Sequence, residues 1–311
     1  MALGVRNQVI EFDYYITPDG EEFNLNDGST RFLMGQGGGG MPPINYLTEQ
    51  GPFQHGVTVT DFRVQPRLIQ MLFRKNGGSR QKYWDNRSTI LDFLRPNRQS
   101  LGVQFTTGVL RKVMPDGEIR DINVMVDQGP SFQMGDPKSW DAFGFTEVLR
   151  FIAFNPFFFN PTQQTLTFSL SSLSNLVFPI TFPITFGSSV IDDTQLLTYL
   201  GTWEEFPIIE IDGPLEGPTI YNDTTGEYIE MLYNIAAGET VTIDLTDRQK
   251  TVTSSLGTDL QGTVEGDLGT WHLAPNPEAP GGVNTIRLTG SGASPGVTQV
   301  RVMWNDRYIG L

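Results

Sequence analysis

His55 and His272 are the only imidazoles in the 311-residue chain, and the chain has no cysteine. Without thiols there are no disulfides, thiolate metal sites, iron–sulfur clusters or cysteine nucleophiles. The two histidines lie far apart, and no HExxH, paired-histidine or EF-hand spacing is present, so no metal site is expected. GxSxG is absent, and His272 follows Trp271 in a stretch that reads as a strand, which leaves no serine-hydrolase arrangement. The glycine-rich segment 35–40 lacks the Lys-Ser/Thr of a phosphate loop and reads as a flexible connector. Acidic pairs such as Asp192-Asp193 and Glu204-Glu205 are plentiful, which leaves a glycosidase-type carboxylate pair as one reading. Spacing selects none of them from 35 acidic residues, and a solvated acidic surface is the simpler reading. The chain is expected to be no enzyme and to hold no cofactor.

Two constellations point to binding instead. Arg63, Arg67, Arg74, Lys75, Arg80, Lys82, Arg87, Arg95 and Arg98 crowd one stretch in which Asp85 and Asp92 are the only acids. Such a run can contact nucleic acid. It can equally face an acidic protein surface such as a neighbouring copy, and the scarcity of stacking aromatics there favours the second reading. Arg63, Arg67, Arg74, Lys75, Arg87, Arg95 and Arg98 are the candidate interface residues. The other constellation is Trp271, His272, Asn284 and Arg287, an aromatic with polar neighbours that could touch a sugar on a sheet face, though a Trp in a sandwich is commonly core.

The elements that must position these residues read as strands. Ile10, Phe12, Tyr14 and Ile16 alternate before a Pro18-Asp19-Gly20 turn toward Phe23 and Leu25. Val57 and Val59 differ in phase from Phe62 and Val64, which predicts a bulge near Asp61. Arg67–Phe73 continues as strand. Asp85–Leu94 is the helix candidate, capped by Asp85 or Ser88 and stopped by Pro96. Strands resume at Val103–Leu110, 122–126 and 148–154, until Asn155-Pro156 and Asn160-Pro161 mark a boundary near residue 158. Phe178-Pro179-Ile180-Thr181 repeats as Phe182-Pro183-Ile184-Thr185, and prolines four apart exclude a central strand. Residues 159–200 therefore read as an extended lead-in. From Gly201, short strands at 208–211, 219–221, 228–232, 241–245, 270–273, 285–288 and 300–304 recur at the spacing of a β-sandwich.

Composition agrees with a turn-rich, mainly β chain. It has 34 Gly and 20 Pro, only 18% charged residues and a net charge of −14. Residues 1–155 hold 16 Lys/Arg against 17 Asp/Glu, whereas residues 156–311 hold 5 against 18. The acidic half is a poor nucleic-acid binder, because phosphate contact requires cations. No window is apolar enough for a membrane span, and the first residues lack a secretory h-region.

The order of Asn155-Pro156-Phe157, Phe182-Pro183-Ile184, Gly201-Thr202, Phe206-Pro207, Gly213-Pro214, Asn222 with Thr225-Gly226, Gly238-Glu239, Ile243-Asp244, Trp271 with Leu273, Gly282, Asn284 and Trp304 with Arg307-Tyr308 resembles the distal tail proteins of long-tailed bacteriophages. The likeness covers residues 150–311 well. It is looser over 1–150, where Trp84, Arg87, Leu91 and Leu94 are similar to that family's helix. The resemblance implies a tail-tube-like domain with one helix (1–158) that closes into a hexameric ring, and a galectin-like sandwich (201–311) projecting from it. It implies a virion protein made in the bacterial host cytoplasm. The ring would join the tail tube protein to tail-tip, baseplate or receptor-binding proteins, leaving a channel through which DNA passes without specific binding and without membrane insertion. The alternative is a lectin-like module that attaches the virion to host glycans.

Overall fold

The computed structural model describes residues 12–26, 31–75, 79–96, 107–132, 145–170, 189–247 and 249–311. The Phe-Pro-Ile-Thr repeat and Arg98 lie outside them. The fold is mainly β and divides into Met1–Pro161 with Tyr308–Leu311, and Thr162–Arg307.

The first unit runs β1 (Tyr14–Ile16), β2 (Glu22–Asn24), β3 (Arg31–Gly37), β4 (Ile44–Glu49), β5 (Thr58–Val64), β6 (Arg67–Lys75), helix α1 (Arg80–Leu94), β7 (Gly108–Val113), β8 (Ile119–Gln128), β9 (Phe145–Ala153) and β10 (Phe158–Phe159). Strand order is β2-β1-β7-β8-β9-β6-β3, with β10 on β8 and β4–β5 a separate two-stranded sheet. One sheet face packs Tyr15, Ile69, Met71, Phe73, Leu110, Ile122, Leu149 and Phe151 against Ile90 and Leu94 of α1. The face of β1 is the reverse of the expected one. Tyr15 is buried and Tyr14 and Ile16 are half-buried, because Phe12 enters the core ahead of the strand.

Helix α1 begins five residues before the expected Asp85. Ser79 is its cap, its side chain accepting from the Lys82 amide at 3.3 Å. Only Ile90 and Leu94 are buried, so the first two turns carry no apolar periodicity to read. The end falls where expected, since the residue before Pro96 is driven out of the helical region, and Arg95 has ψ 131.

The glycine-rich segment is also more ordered in its pairing than a flexible connector. Gly35 and Gly37 pair with Leu72 and Gln70 of β6. Gly38 has φ +112, and a Cβ there would lie 2.6 Å from the Leu68 carbonyl oxygen, so the position requires glycine.

The second unit runs β11 (Gln164–Ser169), β12 (Ile191–Thr198), β13 (Ile208–Asp212), β14 (Leu215–Asn222), β15 (Glu227–Met231), β16 (Asn234–Ile235), β17 (Thr240–Asp244), β18 (Thr251–Ser254), β19 (Val264–Gly266), β20 (Val283–Ser291) and β21 (Gln299–Trp304). A five-stranded antiparallel sheet, β11-β21-β13-β17-β18, and a second sheet, β12-β20-β14-β15-β19 with β16 on β14, share one core. Burial alternates residue by residue along β13, β17 and β20, as in half-buried antiparallel strands. Residues 159–200 are not merely a lead-in: β11 pairs all along β21, and β12 along β20. The prolines that suggested an arm fall between these strands. Residues 270–273 form no strand; Leu273 makes a single bridge to Glu205 while Trp271 fills the core.

The last strand, β22 (Arg307–Tyr308), carries the chain back to the first unit. There Tyr308 is buried, its hydroxyl donating to Glu118, and Arg120 lies 4.0 Å over its ring. The Leu311 amide donates to the Gly39 carbonyl at 2.9 Å. The second unit is therefore an insertion within the first.

Candidate functional site

The cationic run does not act as one surface. Arg67, an expected interface residue, is fully buried and is not available to a partner. Its Nε donates to Pro156 O at 3.0 Å, Nη1 to Gly38 O at 2.6 Å and to Gly40 O, and Nη2 to Ile309 O at 2.6 Å. Phe158 covers the guanidinium at 4.8 Å. One planar fork thus gathers three separate chain segments, a geometry a lysine cannot reproduce. Arg63 is exposed on β5 and Arg74 half-buried on β6, whose last residue is Lys75.

Arg80 and Lys82 on α1 and Arg95 at its C-cap are exposed, and Arg87 is half-buried. Arg80, Trp84, Arg87, Leu91 and Arg95 follow one another at spacings of three and four, which places them on one stripe. Trp84 and Leu91 are about half exposed. Arg87 lies 5.1 Å over Trp84 and 4.4 Å over Phe132, so its guanidinium is held rather than free-swinging. Arg95 pairs with Asp92 at 3.3 Å. The stripe sets apolar area beside positive charges, of which Arg87 and Arg95 are held in place.

The four residues singled out as a glycan contact do not converge on an accessible patch. Trp271 and Asn284 are fully buried. Asn284 donates to Ala274 O at 3.0 Å and accepts from Ala274 N at 2.8 Å and Asn222 Nδ2 at 3.2 Å, a brace satisfying buried backbone. His272 Nδ1 sits 3.0 Å from Glu227. Arg287 is forked onto Asp223 and lies 3.8 Å over Tyr221. Buried packing, not sugar recognition, accounts for Trp271 and Asn284. Among the described residues, no three His, Asp or Glu side chains converge on a point that could hold a metal.

No family profile and no curated protein sequence matches the chain. Solved structures do. The Dit protein (gp 19.1) of phage SPP1, a hub of the adsorption apparatus in phages infecting Gram-positive bacteria, matches at 10% identity with a TM-score of 0.59, over 94% of this chain and 98% of that one. The chain has the fold of a phage tail hub protein. Chains of the phage P2 baseplate in its activated conformation, with Ca and with Sr, match at 9% and 10% identity, each over 93% of this chain and 97% of theirs, with TM-scores of 0.41 and 0.43.

Within the hub fold the second unit contains an ionisable cluster that sequence reading missed. Glu205 lies 3.9 Å from Arg307, which also holds Asp247. Burial pushes the Glu205 carboxyl up to about 7; Arg307 opposes this, and Asp247 and Asp306 add to it. Tyr199 donates to Trp203 O at 2.6 Å and accepts from the Arg307 amide at 3.1 Å, and burial raises its hydroxyl. The only trace in the sequence is Glu204-Glu205 itself, which cannot show that one of the pair turns inward. Through Arg307, the cluster ties Glu205, Asp247 and Tyr199 together at the end of the second unit.

Proposed function

We propose that this protein is a structural, non-enzymatic hub of a phage tail tip or baseplate. Copies of the first unit close a hexameric ring between the tail tube protein and the tail-tip or receptor-binding proteins, leaving a channel for DNA. The second unit is the galectin-like sandwich that projects from the ring. The observation that carries this reading is the breadth of the fold match, which takes in both units and nearly all of the SPP1 hub chain. Charge supports the placement of the ring. Residues 1–155 are near neutrality with both signs, whereas 5 Lys/Arg against 18 Asp/Glu in residues 156–311 would make like copies repel at close range. Ring closure requires two unlike patches on one subunit, which a mixed-sign domain can supply.

Native mass spectrometry and negative-stain imaging of the full chain test the proposal together. Six copies in a ring with a central hole are expected. A monomer at every concentration, or a closed dimer, would overturn it.

A further inference from the structure

The outer face of the second sheet of the sandwich carries a groove, and a bulge in β14 opens it. Glu216 opposes Ser291 and Thr219 opposes Thr289, so Gly217 and Pro218 together face the single residue Gly290. Gly217 takes φ +53, and the space a side chain would fill there is open. On its other edge the same stretch of β14 pairs with β16, which sets Asn234 opposite Glu216.

Directly opposed residues share a face of a sheet. Asp192 of β12 opposes Thr289, and Ser291 lies two residues further along β20. Leu288, next to Thr289, is core, so Asp192, Glu216, Asn234, Thr289 and Ser291 stand on the solvent side. With Val190 they line a groove of about 510 Å3, within the ~300–1,000 Å3 of small-molecule clefts. Ser291 Oγ donates to Glu216 Oε2 at 3.3 Å. The Asp192 carboxylate, the Asn234 amide and the Thr289 hydroxyl have no partner among the described residues. The next row on this face, two residues or ~7 Å along, is aromatic. There Arg287 opposes Tyr221, and Tyr221 opposes and stacks on Tyr228, which is 39% exposed.

We propose that this groove binds an uncharged oligosaccharide, one sugar among Asp192, Glu216, Asn234 and Thr289 and the chain continuing toward Tyr228. The mix of groups selects that class. Sugar hydroxyls donate and accept at once; the carboxylates accept, and the amide and hydroxyls do both. Asp192 and Glu216 repel a phosphate or sulfate. Among the described residues, no third acid or histidine joins them to hold a cation. No aromatic side chain lines the groove itself, which disfavours a flat apolar ligand, whereas the Tyr228 ring beside it suits the C–H face of a sugar. The polar side chains stand on paired strands, so little order is lost on binding. The groove lies wholly in the second unit and does not rest on the ring reading.

The full-length protein is applied to an array of uncharged oligosaccharides printed beside sulfated and phosphorylated ones, and the best uncharged ligand is titrated by calorimetry. Binding to uncharged members is expected, unchanged from ~0.1 to ~1 M salt because no ion pair forms. Asp192→Ala, at an exposed position, should weaken it about tenfold or more and Asn234→Ala about fivefold, with urea midpoints unmoved. A preference for anionic glycans, no binding to any uncharged member, or binding that both variants leave intact would overturn the proposal. Oligolysine is the remaining probe. Its binding in place of any sugar, lost in Asp192→Ala and at high salt, would assign the groove to a basic partner and also overturn it. Light scattering on the same samples reads the subunit count separately, so the ring and the groove are judged apart.

Discussion

Replacing Arg67 by Met isolates the buried guanidinium as a stabilising device. Four carbonyls from Gly38, Gly40, Pro156 and Ile309 converge on it, and the side chain is fully buried. A hydrogen bond to a charged group contributes ~1.5–3 kcal/mol, which would sum to roughly 6–12 kcal/mol if the four were independent. They share one fork and are not independent, and Met preserves most of the packing volume, so the expected loss is about 3–5 kcal/mol. Against a domain stability of ~5–15 kcal/mol this is a large fraction. Arg67→Lys keeps the charge but loses the planar fork, and should lose about 2–3 kcal/mol. Urea unfolding of the full chain should show separable transitions for the two units, since two domains rarely unfold as one. The loss should fall on the first unit alone, and hydrogen exchange at the Leu311 amide, which donates to Gly39, should quicken with it. A change under ~1 kcal/mol, or one shared equally by both transitions, would refute the clamp.

Trp271→Ala should cost the second unit about 3–5 kcal/mol in the same urea experiment, with the first transition unmoved, because the ring is core. Glu205 has its carboxyl raised in the folded state, so the fold favours its protonated form, and stability of the second unit should fall by up to ~3 kcal/mol as pH rises from about 4.5 to about 7. Glu205→Gln should flatten that slope in pH-dependent denaturation. Below that window the sign reverses. Glu239 is lowered by its Ser254 hydrogen bond, and in Asp212 hydrogen bonds from Arg301 and Thr240 outweigh burial, so stability is lost again in acid. Oligomers should weaken as salt rises from ~0.1 to ~1 M, where the screening length drops from ~10 to ~3 Å, and light scattering across that range would register no change if the α1 cations took no part.

What could be read in advance follows from where the information sits. The sandwich strands were legible because antiparallel strands with one buried face alternate in the sequence itself, as Ile209/Ile211 do along β13 and Val241/Ile243 along β17. The bulge in β5 was legible for the same reason: the phase change between Val59 and Phe62 is local. The start of α1 was not, since its first turns face solvent and Ser79 signals only a cap. Arg67 was the least legible. In a run of nine cations nothing distinguishes the one that turns inward, and its acceptors come from positions as distant as Gly38 and Ile309. Trp271 and Asn284 failed as a ligand contact because an aromatic next to an amide has the same spelling whether it faces water or fills a core.

The return of Tyr308–Leu311 to the first unit has a consequence for the order in which the molecule is made. A ribosome completes the whole of Thr162–Arg307 before it adds Ile309, one of the acceptors Arg67 requires. At 5–20 residues per second that interval is on the order of 10 s. During it the nascent first unit holds a buried cation with an incomplete set of partners. A chain broken anywhere in the inserted domain never acquires the Ile309 acceptor, so its first unit should be less stable and easier to proteolyse than that of the intact chain.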